Sequence, residues 1–225
     1  MKIVFVFLLL VISASGFSQI QETDTIELEP IDTNYTHPIG FSVGGGLMFS
    51  NISTSGIVQK DTFANWGTSP KGLFNIGILY NKDLNNRFSF QTGLMFNISK
   101  VSVSYSLNGN DAKEISNYST AAVPLYLLWN PNENKSGIFL TAGAAANMDI
   151  SKKSDKNNRL FPMRTFSVSF GGALGYRIKT YASVIETRLF FKTFPFNILN
   201  NDDSIYSNAL ENMKLWSTGL LISIR

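Results

Sequence analysis

The sequence predicts an all-β fold, an eight-stranded antiparallel up-and-down transmembrane β-barrel, on three observations. Only 16% of the 225 residues are charged and 44% are hydrophobic, whereas a soluble domain carries about 25% charged residues. From residue 38 onward, stretches of about ten residues alternate apolar with small or polar side chains, the period of strands whose two faces meet different surroundings. The connections between these stretches run alternately long and short.

The chain opens with Lys2, an unbroken apolar run from Ile3 to Ile12, and small residues from Ser13 to Ser18 before polar Gln19. That is the layout of a secretory signal peptide over residues 1–18. Its apolar part is half of the roughly twenty residues a membrane-crossing helix needs, and no later run reaches that length. A secreted, weakly charged chain without such a helix has one way to sit in lipid, a closed barrel that pairs every backbone polar group. Residues 19–37 carry Glu22, Asp24, Glu27, Glu29 and Asp32 around Pro30 with few aromatics, the composition of an unstructured acidic tail. The barrel then occupies residues 38–225.

The first stretch, 38–49, sets Ile39, Phe41, Val43, Leu47 and Phe49 against Gly40, Ser42, Gly44 and Gly46. In 72–80, Phe74, Ile76, Ile78 and Tyr80 oppose Asn75 and Gly77. In 87–98, Phe88, Phe90, Leu94 and Phe96 oppose Ser89, Gln91 and Gly93. Stretch 118–129 offers Val123, Leu125, Leu127 and Trp129, and 137–148 offers Ile138, Leu140 and Ala142 against Thr141 and Gly143. The sixth, 165–178, sets Phe166, Val168, Phe170, Leu174 and Tyr176 against Ser167, Ser169, Gly171, Ala173 and Gly175. Stretches 181–191 and 214–225 complete eight. Pro124 inside the fourth removes a ladder donor, so a bulge is expected there.

The connections are 50–71, 99–117, 149–164 and 192–213, all long, separated by the short 81–86, 130–136 and 179–180. Outer-membrane barrels carry long extracellular loops and short periplasmic turns, so this alternation puts both termini on the periplasmic side. With Lys179-Thr180 as a two-residue turn, antiparallel pairing sets Leu174 beside Ile185, Phe170 beside Leu189 and Val168 beside Phe191. Glu186 then faces Ala173 and Arg188 faces Gly171.

The face opposite the apolar one is mainly Gly, Ser, Ala and Asn, a poor coat for water and a good lining for a narrow lumen. The apolar face is therefore expected outside, against lipid. Tyr80, Phe88, Trp129, Tyr176 and Tyr181 fall near one set of strand ends, and Phe49, Phe96, Tyr118, Phe166 and Trp216 near the other, as two interfacial girdles.

The stretch from Tyr118 to Trp129, with Ala122-Val123-Pro124-Leu125-Tyr126-Leu127 at its centre, resembles a strand of the PorT-like bacterial outer-membrane β-barrel family. Phe170-Gly171-Gly172-Ala173-Leu174-Gly175-Tyr176 is similar to that family's Gly-rich sixth strand, and the eight-strand spacing fits across residues 38–225. The resemblance implies an outer-membrane barrel in a family whose founding member is linked to secretion and gliding machinery. The end of the chain, Ser217-Thr218-Gly219-Leu220-Leu221-Ile222-Ser223-Ile224, resembles the signal read by the barrel-assembly machinery. Gly219, Ile222 and Ile224 carry that pattern, and Arg225 stands where a terminal aromatic is common.

Chemistry has few candidates. With no cysteine and one histidine there is no thiolate or multi-histidine metal site, and no cofactor is expected. His37 lies at the end of the tail. Asp202-Asp203 sit in an Asn-rich loop, where adjacent carboxylates read as a solvated tip. The nineteen Lys and Arg are scattered, which excludes a phosphate-tracking stripe and with it nucleic acid. Glu186 and Arg188, two apart on one strand, share a face with Arg177 on the next. Charges in a dry lumen must be paired, so these three are expected to form an interior network, structural or gating.

The leading expectation is a non-enzymatic barrel that anchors or assists a secretion or surface complex, with extracellular loops or the periplasmic tail as the contact for a protein partner. A narrow gated solute channel and a lipid-modifying enzyme are the alternatives. Outer-membrane lipids and, during insertion, the barrel-assembly machinery are the other expected partners. An eight-strand barrel is just wide enough for its own side chains, which favours the anchor over the channel.

Overall fold

In a computed structural model the alternation is realised as ten strands: β1 (Ile39–Thr54), β2 (Phe63–Thr68), β3 (Lys71–Asp83), β4 (Phe88–Leu107), β5 (Asn110–Asn117), β6 (Thr120–Trp129), β7 (Gly137–Asp149), β8 (Phe166–Lys179), β9 (Val184–Phe194) and β10 (Leu210–Ile224). The structure describes residues 37–54, 63–107, 109–133, 135–152, 155, 159, 161–180, 183–200 and 210–225. The signal peptide, the acidic tail up to Thr36, and Asp202-Asp203 lie outside the described residues. No helix among the described residues is long and apolar enough to cross a membrane.

Every pairing is antiparallel. β1 bonds to β3, β3 to β4, and β4 to β6. β6, β7, β8, β9 and β10 follow in chain order, and β10 bonds back to β1. Within this circuit each of the eight strands has a neighbour on both sides, which leaves no open edge.

Ten strands rather than eight is a correction. β2 and β5 lie in segments expected as loops, and both pair with the far half of β4. The reason is legible in Val101, Val103 and Tyr105, which alternate with Ser102, Ser104 and Ser106. The two-residue period does not stop at Ile98, so the strand continues and recruits neighbours of its own.

A second correction concerns the β8–β9 register. Leu174 faces Leu189, Phe170 faces Thr193, Glu186 faces Arg177 and Arg188 faces Gly175. The ladder is four residues out of the expected position because Lys-Thr does not make the two-residue turn. Lys179 pairs with Val184, and Thr180 closes a four-residue turn, its amide donating to the Ser183 carbonyl at 2.8 Å. A shift of four leaves every side chain on its expected face.

The bulge expected at Pro124 does not form. The β4–β6 register is the same on both sides of it, Thr92 to Leu125 and Met95 to Ala122. The missing proline N–H is met by a gap in the ladder instead of an extra residue.

The faces are arranged as expected, apolar outward. Ser42, Asn75, Gln91, Thr141, Asn147, Ser169 and Ser217 are buried, while Phe41, Ile78, Leu125, Ile138, Phe170 and Leu189 are about half exposed. An apolar belt of this kind is stable only against another apolar medium. At the short-turn ends Tyr80, Trp129 and Tyr176 face out, and at the long-connection ends Phe96 and Phe166 do. Phe49 and Trp216 stack across the β1–β10 seam with ring centres 3.8 Å apart and planes 4° from parallel. Tyr118 departs from the expected girdle and is 1% exposed. It precedes β6 and turns inward. Tyr181 lies outside the described residues.

Inside the long-connection end sits an apolar cluster that includes Val101, Val103, Tyr105, Phe161, Met163, Ile198, Leu199 and Met213. Segments following β7 and β9 supply part of it: Met163 bridges Leu199, and the Arg164 amide donates to the Ile198 carbonyl at 2.8 Å. Tyr118 packs in this cluster edge-on to Phe194, and burial pushes its phenol above the usual value.

Candidate functional site

The period that turns phenylalanine and leucine outward turns Glu186, Arg188, Phe190 and Lys192 of β9 inward. Glu186 is the centre of the lumen at the short-turn end. Arg177 Nε donates to its Oε1 at 2.7 Å, and Arg225 Nη2 reaches the same oxygen at 3.3 Å. Arg188 Nη2 bonds Oε2. All four side chains are at least nine-tenths buried. One carboxylate thus takes three guanidinium groups, and charge-assisted bonds of this kind are the strong ones.

The network continues on neutral partners. Arg188 Nη1 donates to Gln91 Oε1, and Gln91 Nε2 donates to Asn81 Oδ1 at 2.6 Å. Arg177 Nη1 donates to the Lys135 carbonyl at 3.4 Å. Lys135 Nζ sits 2.8 Å from Asp83 Oδ1, which also accepts from Ser89 Oγ at 2.7 Å. The Arg177 and Arg188 guanidinium carbons lie 5.1 and 5.3 Å from the centre of the Phe139 ring, within cation–π range. Gly175 makes that arrangement possible, because a Cβ there would stand 2.3 Å from Phe139 Cζ.

The expected trio Arg177, Glu186 and Arg188 is therefore brought together. Arg225, Gln91 and Phe139 join it, and the sequence reading did not place them there. Arg225 could have been found, since it shares its face with Ser217, Gly219, Leu221 and Ser223 by the same two-residue count. Gly219 and Ile222 lie in β10 opposite Gly46 and Val43 of β1, and Ile224, opposite Phe41, points outward at 53% exposure.

At the opposite end Asp149 and Arg159 form a second buried pair at 2.6 Å, and Arg159 also bonds the Asn117 carbonyl. Between the two ends a cavity of about 80 Å³ is lined by Gln91 and Arg188 from the polar network and by Met48, Leu73 and Phe194 from the apolar cluster. Lys192 also lines it.

Gly40-Phe41-Ser42-Val43-Gly44 matches the Gly-x-Ser-x-Gly of a nucleophile elbow. The elbow needs a strand-to-helix turn, whereas Ser42 lies within β1 and its Oγ donates to the Gly77 carbonyl at 3.3 Å. His37 is placed just ahead of β1. Among the described residues no group of histidine and carboxylate side chains could hold a metal ion.

Comparison with known proteins adds the following. A family model described as outer membrane protein beta-barrel domain matches residues 17–198. The crystal structure of the outer membrane protein OprG from Pseudomonas aeruginosa is similar at 12% identity, covering 84% of this chain and 97% of that one, with a TM-score of 0.42. None of the curated proteins matches the chain.

Proposed function

The chain belongs to the outer membrane protein β-barrel domain family, and from that premise we propose that it is a closed, non-enzymatic barrel that anchors or assists a surface or secretion complex. The eight strands of the circuit cross the membrane, both termini are periplasmic, and the leader at residues 1–18 is removed on export. β2, β5 and the far half of β4 stand on the extracellular side. The acidic tail at residues 19–37 offers a second, periplasmic contact. Within the family, the Pro124 strand and the Gly-rich β8 support a PorT-like membership, and the β10 pattern at Gly219, Ile222 and Ile224 supports a role in insertion.

The observation that carries this reading is the filled lumen. The Glu186 network occupies one end and the apolar cluster the other. A solute would have to break buried ion pairs to pass, and such pairs resist the loss of one partner by about 3–5 kcal/mol. The long-connection end supports the docking role, because paired strands give it a shaped surface on which Ile115 and Phe196 are exposed. The second reading, a narrow gated channel with the Glu186 network as its gate, draws on the cavity between the two ends.

Conductance separates the two. Purified protein in a planar bilayer should give no steady current steps, and reproducible ohmic steps would make the channel the better reading.

A further inference from the structure

Among the described residues Lys192 is a cation of the lumen without a carboxylate. Its Nζ donates to Asn147 Oδ1 at 2.8 Å and lies 4.9 Å from the centre of the Phe194 ring, and among the described residues it forms no ion pair. Three further polar atoms belong to residues lining the same cavity and find no hydrogen-bond partner among the described residues: Arg188 Nε, Thr141 Oγ1 and Ser217 Oγ. Each of those three residues is more than nine-tenths buried. Ser217 is the direct cross-strand partner of Lys192, on whose other side stands Gly171, paired in turn with Gly143. The Tyr126 ring packs over those two glycines, 2.5 Å from where a Cβ on Gly143 would stand, and with Lys192 it lines the cavity.

Among the described residues the charges of the lumen do not balance. Asp83 is taken by Lys135 and Asp149 by Arg159. That leaves Glu186 as the carboxylate set against Arg177, Arg188, Arg225 and Lys192. Burying a charge without its counter-charge is costly, and the surplus here is positive.

We propose that the cavity binds a small anion, a halide or a short carboxylate, held by the Lys192 ammonium, Arg188 Nε and the hydroxyls of Ser217 and Thr141. The volume of about 80 Å³ sets its size. One water-sized group takes roughly 10–15 Å³ on that measure, so a group of a few heavy atoms fits and a six-carbon sugar acid such as gluconate does not. The anion neutralises the surplus charge and completes the bonds of the three unpartnered atoms. The site stands whether or not the barrel conducts, so it goes beyond the anchor reading.

The test uses the full chain purified in detergent and reads the temperature at which the folded gel band disappears. Bromide or formate is titrated at constant ionic strength against sodium gluconate, which is too large to enter. Binding to the folded state alone raises the midpoint by mass action, so a saturable rise of several degrees is expected with bromide, formate or both. K192M should abolish the rise and, in gluconate alone, melt no lower than wild type, because it removes the unpaired cation. S217A and T141V should each keep the rise and shift its half-saturation several-fold higher. A midpoint indifferent to both anions, or the same rise in K192M, overturns the proposal. If K192M does not fold, unchanged half-saturation in both S217A and T141V overturns it equally.

Discussion

Arg177 and Glu186 are direct cross-strand partners on β8 and β9, joined at 2.7 Å with both side chains about 1% exposed. An ion pair this deep in a sheet whose other face is apolar defines the inside of the molecule. It also makes Glu186 the residue on which three arginines depend.

Glu186→Ala should therefore lower the melting temperature of the folded band sharply. It leaves the Arg177, Arg188 and Arg225 side chains buried without their carboxylate, a loss on the order of 3–5 kcal/mol for a broken buried pair. Glu186→Gln should cost less, since the amide oxygen still accepts a hydrogen bond. Adding Arg188→Met to Glu186→Gln should recover part of the loss. An alanine variant that melts with wild type would mean the charges are solvated.

Gly175 gives an independent probe of the same end. Gly175→Ala puts a methyl group into the Phe139 ring, 2.3 Å from Cζ, and overpacking of that kind costs about 1–3 kcal/mol. Phe139→Leu in the same chain should restore stability toward wild type, because the smaller side chain vacates the space. Additive losses in the double variant would show that the ring does not lie over Gly175.

Much of this architecture was legible in the sequence because one rule, the two-residue period, acts on every strand. It gave the outward face from Phe41 to Ile224, and it put Arg177, Glu186 and Arg188 together. What it could not give was register. A slip of four at the β8–β9 turn preserves every face, so the apolar pattern does not report it, and the position depends on how Thr180 and Ser183 close the turn. Nor does the pattern separate a strand that crosses the lipid from one that rises past it, so the alternation from Val101 to Tyr105 does not by itself distinguish a strand from a long connection. The cavity was illegible for another reason: it is made by side chains from many strands, and no local signal announces their convergence.

Orientation has its own test. An epitope placed at Asn85-Asn86, in the β3–β4 turn, should stay hidden on intact cells, and one beside Gly109, between β4 and β5, should be labelled. The reverse pattern would invert the topology proposed for the termini.

The central claim is that the wall faces lipid and the lumen is closed, and the absence of native cysteine allows it to be measured one thiol at a time. Single cysteines at Asn85, Leu174 and Ala145 sample the turn, the outward face and the cavity lining. In the folded protein reconstituted in vesicles open to reagent on both sides, a membrane-impermeant maleimide should label only the first, and a lipid-soluble one should also label the second. The Ala145 position should resist both until the protein is heated past its transition. If the impermeant reagent labels it as fast as the turn, water reaches the lumen freely and the closed-barrel account is wrong.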